Sequence, residues 1–145
     1  MIDRSSRVLS HEVIFRALPS PKSAVFRKVN ILLFWLPHCR RKDTAYFRPV
    51  TAFEAILLWY ERKPVDLIIA DVIMPGVNGP LLVEAIWDEE YTPVLYISGL
   101  APRGLAARHI QDGRARFLAK PIQAGALRKS VQELVEVTSL LKSAE

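Results

Sequence analysis

An α/β domain with a doubly wound, parallel, five-stranded sheet is the fold class this sequence predicts, and three observations predict it. Short apolar runs alternate with segments of helical periodicity over residues 29–142. The runs are continuously apolar, as strands buried on both faces must be. Three of them end in a polar residue, Asp71, Ser98 and Lys120, where open α/β sheets gather their ligand chemistry. Parallel neighbours joined by right-handed crossovers follow from that alternation.

Residues 1–28 read as an N-terminal extension, and 29–145 as the domain proper. The extension carries scattered Arg and Lys with Pro19 and Pro21 around Ser20. Its apolar residues, among them Val8, Leu9, Val13, Ile14 and Phe15, suit either a short strand or an amphipathic helix. Residues 29–36 form a strongly apolar run stopped by Pro37. Its length and aromatic content favour a buried strand, with a helix as the other reading. Residues 38–45 are polar and basic, a loop or short helix.

Residues 46–50 predict a second strand, at a sheet edge because Pro49 cannot donate to a ladder. Thr51 and Glu54 have capping-box spacing and open a helix over about 52–62. Its inward stripe is expected to be Phe53, Ile56, Leu57 and Tyr60, and Lys63-Pro64 ends it. The run Asp66-Leu67-Ile68-Ile69-Ala70-Asp71 is a third strand. The Pro75-Gly76 and Asn78-Gly79 pairs turn the chain at once, which holds Asp71 at a mouth.

Pro80 suits the first position of the next helix, with Leu81, Leu82, Ala85 and Ile86 inward as far as about Trp87. A strand over 93–97 ends in Ser98-Gly99. A weak helix over 101–112 centres on Leu105, Ala106 and Ile110, and Gly113 breaks it. A strand over 116–119 ends in Lys120-Pro121. The last helix, about 123–142, carries Leu127, Val131, Leu134, Val135, Thr138 and Leu141 on one stripe.

Composition limits the classes of function. The chain has 145 residues, 50% hydrophobic and 24% charged, with a net charge of +5. A domain of this size buries roughly 70% of its unfolded surface, enough for a sheet covered on both sides. The basic balance is spread along the chain, and its densest cluster, Arg40-Arg41-Lys42, reads as a solvated loop. No aromatic-basic interleaving or helix-turn-helix accompanies it, so direct nucleic-acid binding is not expected. No conventional DNA-binding output domain is expected after residue 142.

The lone Cys39 excludes an internal disulfide framework and reads as a small buried residue. The longest apolar stretches, 31–36 and 55–60, fall far short of the ~20 residues of a membrane span. Ser5, Ser6, Arg7, Ser10, His11 and Glu12 interrupt any signal-peptide core, so a cytoplasmic setting without membrane contact is expected. His11, His38 and His109 lack ligand spacing. Trp35, Trp59 and Trp87 read as core or interface residues.

The strand-end residues bring together a carboxylate, a hydroxyl and an ammonium. That set suits an acyl-phosphate site: the carboxylate attacks phosphorus, the hydroxyl bonds a phosphoryl oxygen, and the ammonium offsets the charge. The bland alternative is a structural Lys120–Asp71 salt bridge with Ser98 as a strand-end hydroxyl.

The segment from Pro64 to Gly79, with its Asp71-Val72-Ile73-Met74-Pro75-Gly76 core, resembles the phosphoacceptor segment of response-regulator receiver domains. Pro93-Val94-Leu95-Tyr96-Ile97-Ser98-Gly99 is similar to that family's switch-hydroxyl strand, and Phe117-Leu118-Ala119-Lys120-Pro121 to its lysine strand. The resemblance is clearest over 46–142. It implies a flavodoxin-like fold, Asp71 as phosphoacceptor, Ser98 and Phe117 as switch residues, and Lys120 as the ion-pair partner of the phosphoryl group. It also implies a cis Lys120-Pro121 bond, and metal ligation by Asp71 and the Ile73 carbonyl if Mg²⁺ binds.

One departure is plain. The family places two adjacent acids at the end of its first strand to hold Mg²⁺. If residues 29–34 are that strand, the matching positions are Trp35 and Leu36; counting back from Asp71 by the family's usual spacing gives Val25 and Phe26 instead, and neither pair is acidic, so Mg²⁺ is implied by the family but not by these residues. The segment from Phe34 to Ala55 is also too short for a normal first helix and second strand, so the N-terminal third is expected to be remodelled.

Two functions therefore stand. One is an atypical single-domain response regulator, not an enzyme in the ordinary sense. Its donor would be a histidine kinase or phosphotransfer protein, and its output protein contact, including a homodimer or a heterodimer with another regulator. Leu140-Leu141 would suit a dimer contact. The other is a phosphorylation-independent pseudo-receiver acting as a docking or dimerisation module.

Overall fold

The computed structural model describes residues 31–34, 46–47, 52–74, 77–87 and 92–144. Its strands are Ile31–Phe34 (β1), Tyr46–Phe47 (β2), Leu67–Asp71 (β3), Ile73–Met74 (β4), Val77–Asn78 (β5), Val94–Ser98 (β6) and Ala115–Ala119 (β7). Its helices are Ala52–Arg62 (α1), Gly79–Ile86 (α2), Gly104–Gln111 (α3) and Ala124–Ser143 (α4). Five strands form one parallel sheet in the order β2-β1-β3-β6-β7, while β4 and β5 make a small antiparallel hairpin.

The order reverses between β1 and β3, so the carboxyl end of β3 stands at the switch point of the sheet. The register sets the strand ends level: Phe34 faces Ala70, Asp71 faces Ile97, and Ser98 faces Ala119. The edge place expected for the second strand is observed for β2. The strand reading of the first apolar run holds over Ile31–Phe34. Trp35, Leu36, Cys39, His11, His38, Thr51, the Arg40-Arg41-Lys42 cluster and the extension lie outside the described residues.

Successive side chains of a strand point to opposite faces, and this sheet feeds two separate cores. Ile31, Leu67, Ile69, Leu95 and Ile97 pack with Leu127, Val131, Leu134 and Val135 of α4. Ile68, Ala70, Val94, Tyr96 and Ala115 pack with residues of α1, α2 and α3. Each fully buried leucine or isoleucine contributes roughly 1.5–3 kcal/mol. The stripe expected on the last helix is the buried one from Leu127 to Thr138, whose hydroxyl donates back to the Leu134 carbonyl at 2.9 Å. Leu140 is exposed, and the side chain of Leu141 lies outside the described residues.

Two helices are rotated relative to the sequence expectation. On α1, Phe53, Leu57 and Tyr60 are 69%, 44% and 64% exposed, while Ala55 and Trp59 are buried. Apolar residues run nearly all round this helix, so no polar face fixes its rotation. The solution that buries the indole, with small Ala55 one turn away, is the one adopted. On α2, Leu81 and Ala85 point outward, and Val83 joins Leu82 and Ile86 inside. Asn78 caps this helix by accepting from the Leu81 N–H at 3.1 Å, so Pro80 follows Gly79 rather than opening the helix itself.

Gly113 ends α3 with φ at +74°, a left-handed conformation that glycine adopts without a Cβ penalty. A polar cluster lies between α3, α2 and β6. His109 is 2% exposed; the Tyr96 hydroxyl meets its Nδ1 and a Glu84 carboxylate oxygen meets its Nε2, both at 2.7 Å. Burial, aided by the charge of Glu84 and opposed by Arg114, pushes the Tyr96 phenol well above its ordinary range.

The unfolded phenol ionises near pH ~10. Its contribution to stability is therefore complete below that pH and is lost as pH rises above it, because the unfolded chain releases the proton first. Wild type is expected to lose stability above pH ~10 in urea melts. Tyr96→Phe should show a flatter decline; identical slopes would exclude the phenol as the cause.

Candidate functional site

Asp71 closes β3 and is 2% exposed. Its Oδ1 accepts the Ile73 N–H at 3.2 Å, and its Oδ2 accepts from the Lys120 ammonium at 2.9 Å. Lys120 reaches in from just beyond β7 and remains about one-third exposed. Its own N–H donates to the Ser98 carbonyl at 2.9 Å, which ties the third strand end to the second. The Val72 N–H donates to the Ile97 carbonyl at 3.1 Å, tying the first to the second. The expected grouping of Asp71, Ser98 and Lys120 at neighbouring strand ends is observed.

Ser98 is buried, and its Oγ accepts the Leu100 N–H at 3.2 Å. Among the described residues its hydroxyl proton meets no acceptor and can turn. Phe117, three residues before Lys120, is half-buried on the edge strand. Ile73 follows the site on β4 with its side chain exposed. The Lys120–Pro121 bond is cis, as is Lys63–Pro64.

Gly79 was not singled out from the sequence, although the Asn-Gly pair was read as a turn. Its N–H donates to the Val72 carbonyl at 3.2 Å. A Cβ on Gly79 would stand 2.1 Å from the carbonyl oxygen of Asp71. The absence of a side chain here is what lets the start of α2 press against the backbone of the acid. A glycine directly after a helix-capping Asn was the readable signal.

Divalent cations of the magnesium type take oxygen ligands in near-octahedral geometry, usually from one or two carboxylates and waters. Among the described residues no group of three acids, histidines or cysteines could hold a metal. Phe34 stands level with Ala70, and the next two residues in sequence, Trp35 and Leu36, carry no side-chain oxygen. The described residues do not by themselves supply the donors of a conventional magnesium site.

The fold and the strand-end triad define a flavodoxin-like α/β domain with its polar residues at the switch point. The sequence pattern of the response regulator receiver domain family matches residues 41–132. The chain belongs to that family and is a receiver domain of two-component signalling.

The two-component response regulator ARR10 of Arabidopsis thaliana is 29% identical over 115 residues, covering 79% of this chain and 20% of that protein. The response regulator PleD of Caulobacter vibrioides is 33% identical over 82 residues, covering 53% of this chain and 18% of PleD. The chain spans about a fifth of the length of these curated relatives. Among solved structures, the signal receiver domain of a Vibrio parahaemolyticus protein assigned as a LuxO repressor superposes with a TM-score of 0.64. It shares 25% identity and covers 81% of this chain and 98% of that one. No helix among the described residues is long and apolar enough to cross a membrane.

Proposed function

We propose that Asp71 accepts a phosphoryl group from a histidine kinase or phosphotransfer protein, and that the result is read out by protein contact. The observation that carries this reading is the 2.9 Å contact between the Lys120 ammonium and the buried Asp71 carboxylate. A carboxylate oxygen attacks phosphorus, the phosphorus–nitrogen bond of the donor phosphohistidine breaks, and the imidazole leaves with the electron pair and takes a proton. Each Asp71 oxygen keeps a lone pair for this step beyond its present hydrogen bond. Lys120 offsets the charge on the transferred group, and the free hydroxyl proton of Ser98 is suited to a phosphoryl oxygen.

No step is assigned to Mg²⁺, because the described residues do not supply its usual donors; Asp71 and the Ile73 carbonyl are the ligands this reading would need if it bound. Phe117 serves as the second switch residue, on the strand that carries Lys120. The functional unit is 29–145 with 1–28 as an extension. It works as a switch in the cytoplasm, alone or as a dimer, without turning over a substrate of its own. The second reading, a pseudo-receiver for docking or dimerisation, is favoured by the apolar pair Trp35-Leu36 that follows β1.

Intact mass of wild type and Asp71→Asn after treatment with a small phosphodonor, with Mg²⁺ or with a chelator, tests the first reading. One phosphoryl adduct is expected in wild type, lost in Asp71→Asn and retained in chelator. A strictly Mg²⁺-dependent adduct would mean that carboxylates outside the described residues complete a metal site. No adduct from either a small donor or a kinase would leave the docking reading.

A further inference from the structure

Helix α3 begins six residues after Ser98 and is fastened unevenly. At its start Gly104 lies at φ +56°, and among the described residues Arg103 makes no side-chain capping bond. Its last turn carries His109, buried and bonded through both ring nitrogens to two different elements. Trp87 packs on the imidazole with ring centres 4.5 Å apart. Trp87 is itself held, its Nε1–H donating to the Thr92 carbonyl at 3.0 Å and the Arg114 guanidinium lying 3.7 Å over its ring.

Proton placement follows from the partners. Tyr96 is fully buried, and among the described residues its hydroxyl meets only His109; accepting from the ring would leave its own buried proton unpaired, so it donates to Nδ1. A carboxylate only accepts, so Nε2 carries the hydrogen and donates to Glu84. A single neutral tautomer satisfies all three side chains. The bond to Glu84 is charge-assisted and belongs to the stronger kind.

We propose that His109 is a positioning residue, a polar latch that fixes the last turn of α3 to β6 and α2 and so sets the resting place of the helix that follows Ser98. Tyr96 lies two residues before Ser98 on the same face of β6, so the latch and the hydroxyl share one strand. Its value to signalling rests on the reading of Ser98 given above. The latch itself does not, because it is complete without a phosphoryl group.

The test is residue-resolved amide hydrogen exchange on the full chain, without phosphodonor, in wild type, Tyr96→Phe, His109→Gln and His109→Leu. Gln retains an acceptor and a donor; Leu fills similar space with neither. Tyr96→Phe and His109→Leu are expected to speed exchange of the 108–112 amides about tenfold, equivalent to about 1.4 kcal/mol, while β3 amides are unchanged. His109→Gln should stay closer to wild type than His109→Leu. Equal acceleration in α3 and β3, or identical behaviour of Gln and Leu, would show a packing role only and overturn the latch. Failure of Asp71 to take phosphate would be a separate result, since no donor enters this experiment.

Discussion

Lys120→Met is expected to destabilise the domain by about 3 kcal/mol, the lower end for removing one partner of a buried pair. Asp71→Asn should cost only about 1 kcal/mol, the scale of one hydrogen bond. The asymmetry comes from burial. Asp71 is enclosed at the end of β3, so without the ammonium its charge is left uncompensated. Lys120 is partly exposed, and its head can turn to water when the acid is neutralised. The Asn amide oxygen can still accept the Ile73 N–H. Urea melts of both variants and of the double variant decide the matter. The double should be more stable than Lys120→Met alone, because the stranded charge is gone. Equal costs for the two single variants would mean that the contact is solvent-screened.

Among the described glycines, Gly79→Ala is expected to be the most damaging alanine change, costing about 3 kcal/mol, the upper range for overpacking. The new Cβ meets backbone, the Asp71 carbonyl, at 2.1 Å. No flexible side chain can yield; either β3 or the start of α2 must move. The same displacement would shift the Asp71 carboxylate relative to Lys120. Loss is therefore expected both in thermal stability and in phosphodonor labelling of the fraction that remains folded. Gly99→Ala is the matched control, because a Cβ there meets nothing within 4 Å. Comparable stability of the two alanine variants would refute the close approach.

The strands and their polar ends were legible in the sequence because both signals are local. A continuously apolar run reads as a doubly covered strand, and Asp71, Ser98 and Lys120 interrupt such runs at their ends. Pro49 marked the edge place of β2 for a similarly local reason. The rotation of α1 was not legible: eight apolar or aromatic residues leave several stripes of comparable strength, and only contact with the sheet selects the one through Ala55 and Trp59. On α2 the same competition moved Leu81 outward and Val83 inward.

The Glu84–His109–Tyr96 chain was also invisible beforehand. A lone histidine on a weak helix has no spacing that names its partners, and both of them arrive from other elements. Gly79 falls between these cases: its turn was readable, but the carbonyl that forbids a side chain belongs to a residue across the hairpin.

The alternation of side chains through the sheet gives the mouth a property of its own. Asp71 continues the series of Leu67 and Ile69, whose core belongs to α4. Ser98 continues that of Val94 and Tyr96, whose core belongs to the other three helices. The two polar ends are thus anchored in different layers, and the site is a seam where both meet. Drawing the hydroxyl and the carboxylate together pulls across the thickness of the sheet. On the proposed function, any coupling between a partner gripping either layer and an event at the seam is reciprocal, each biasing the other by the same free energy.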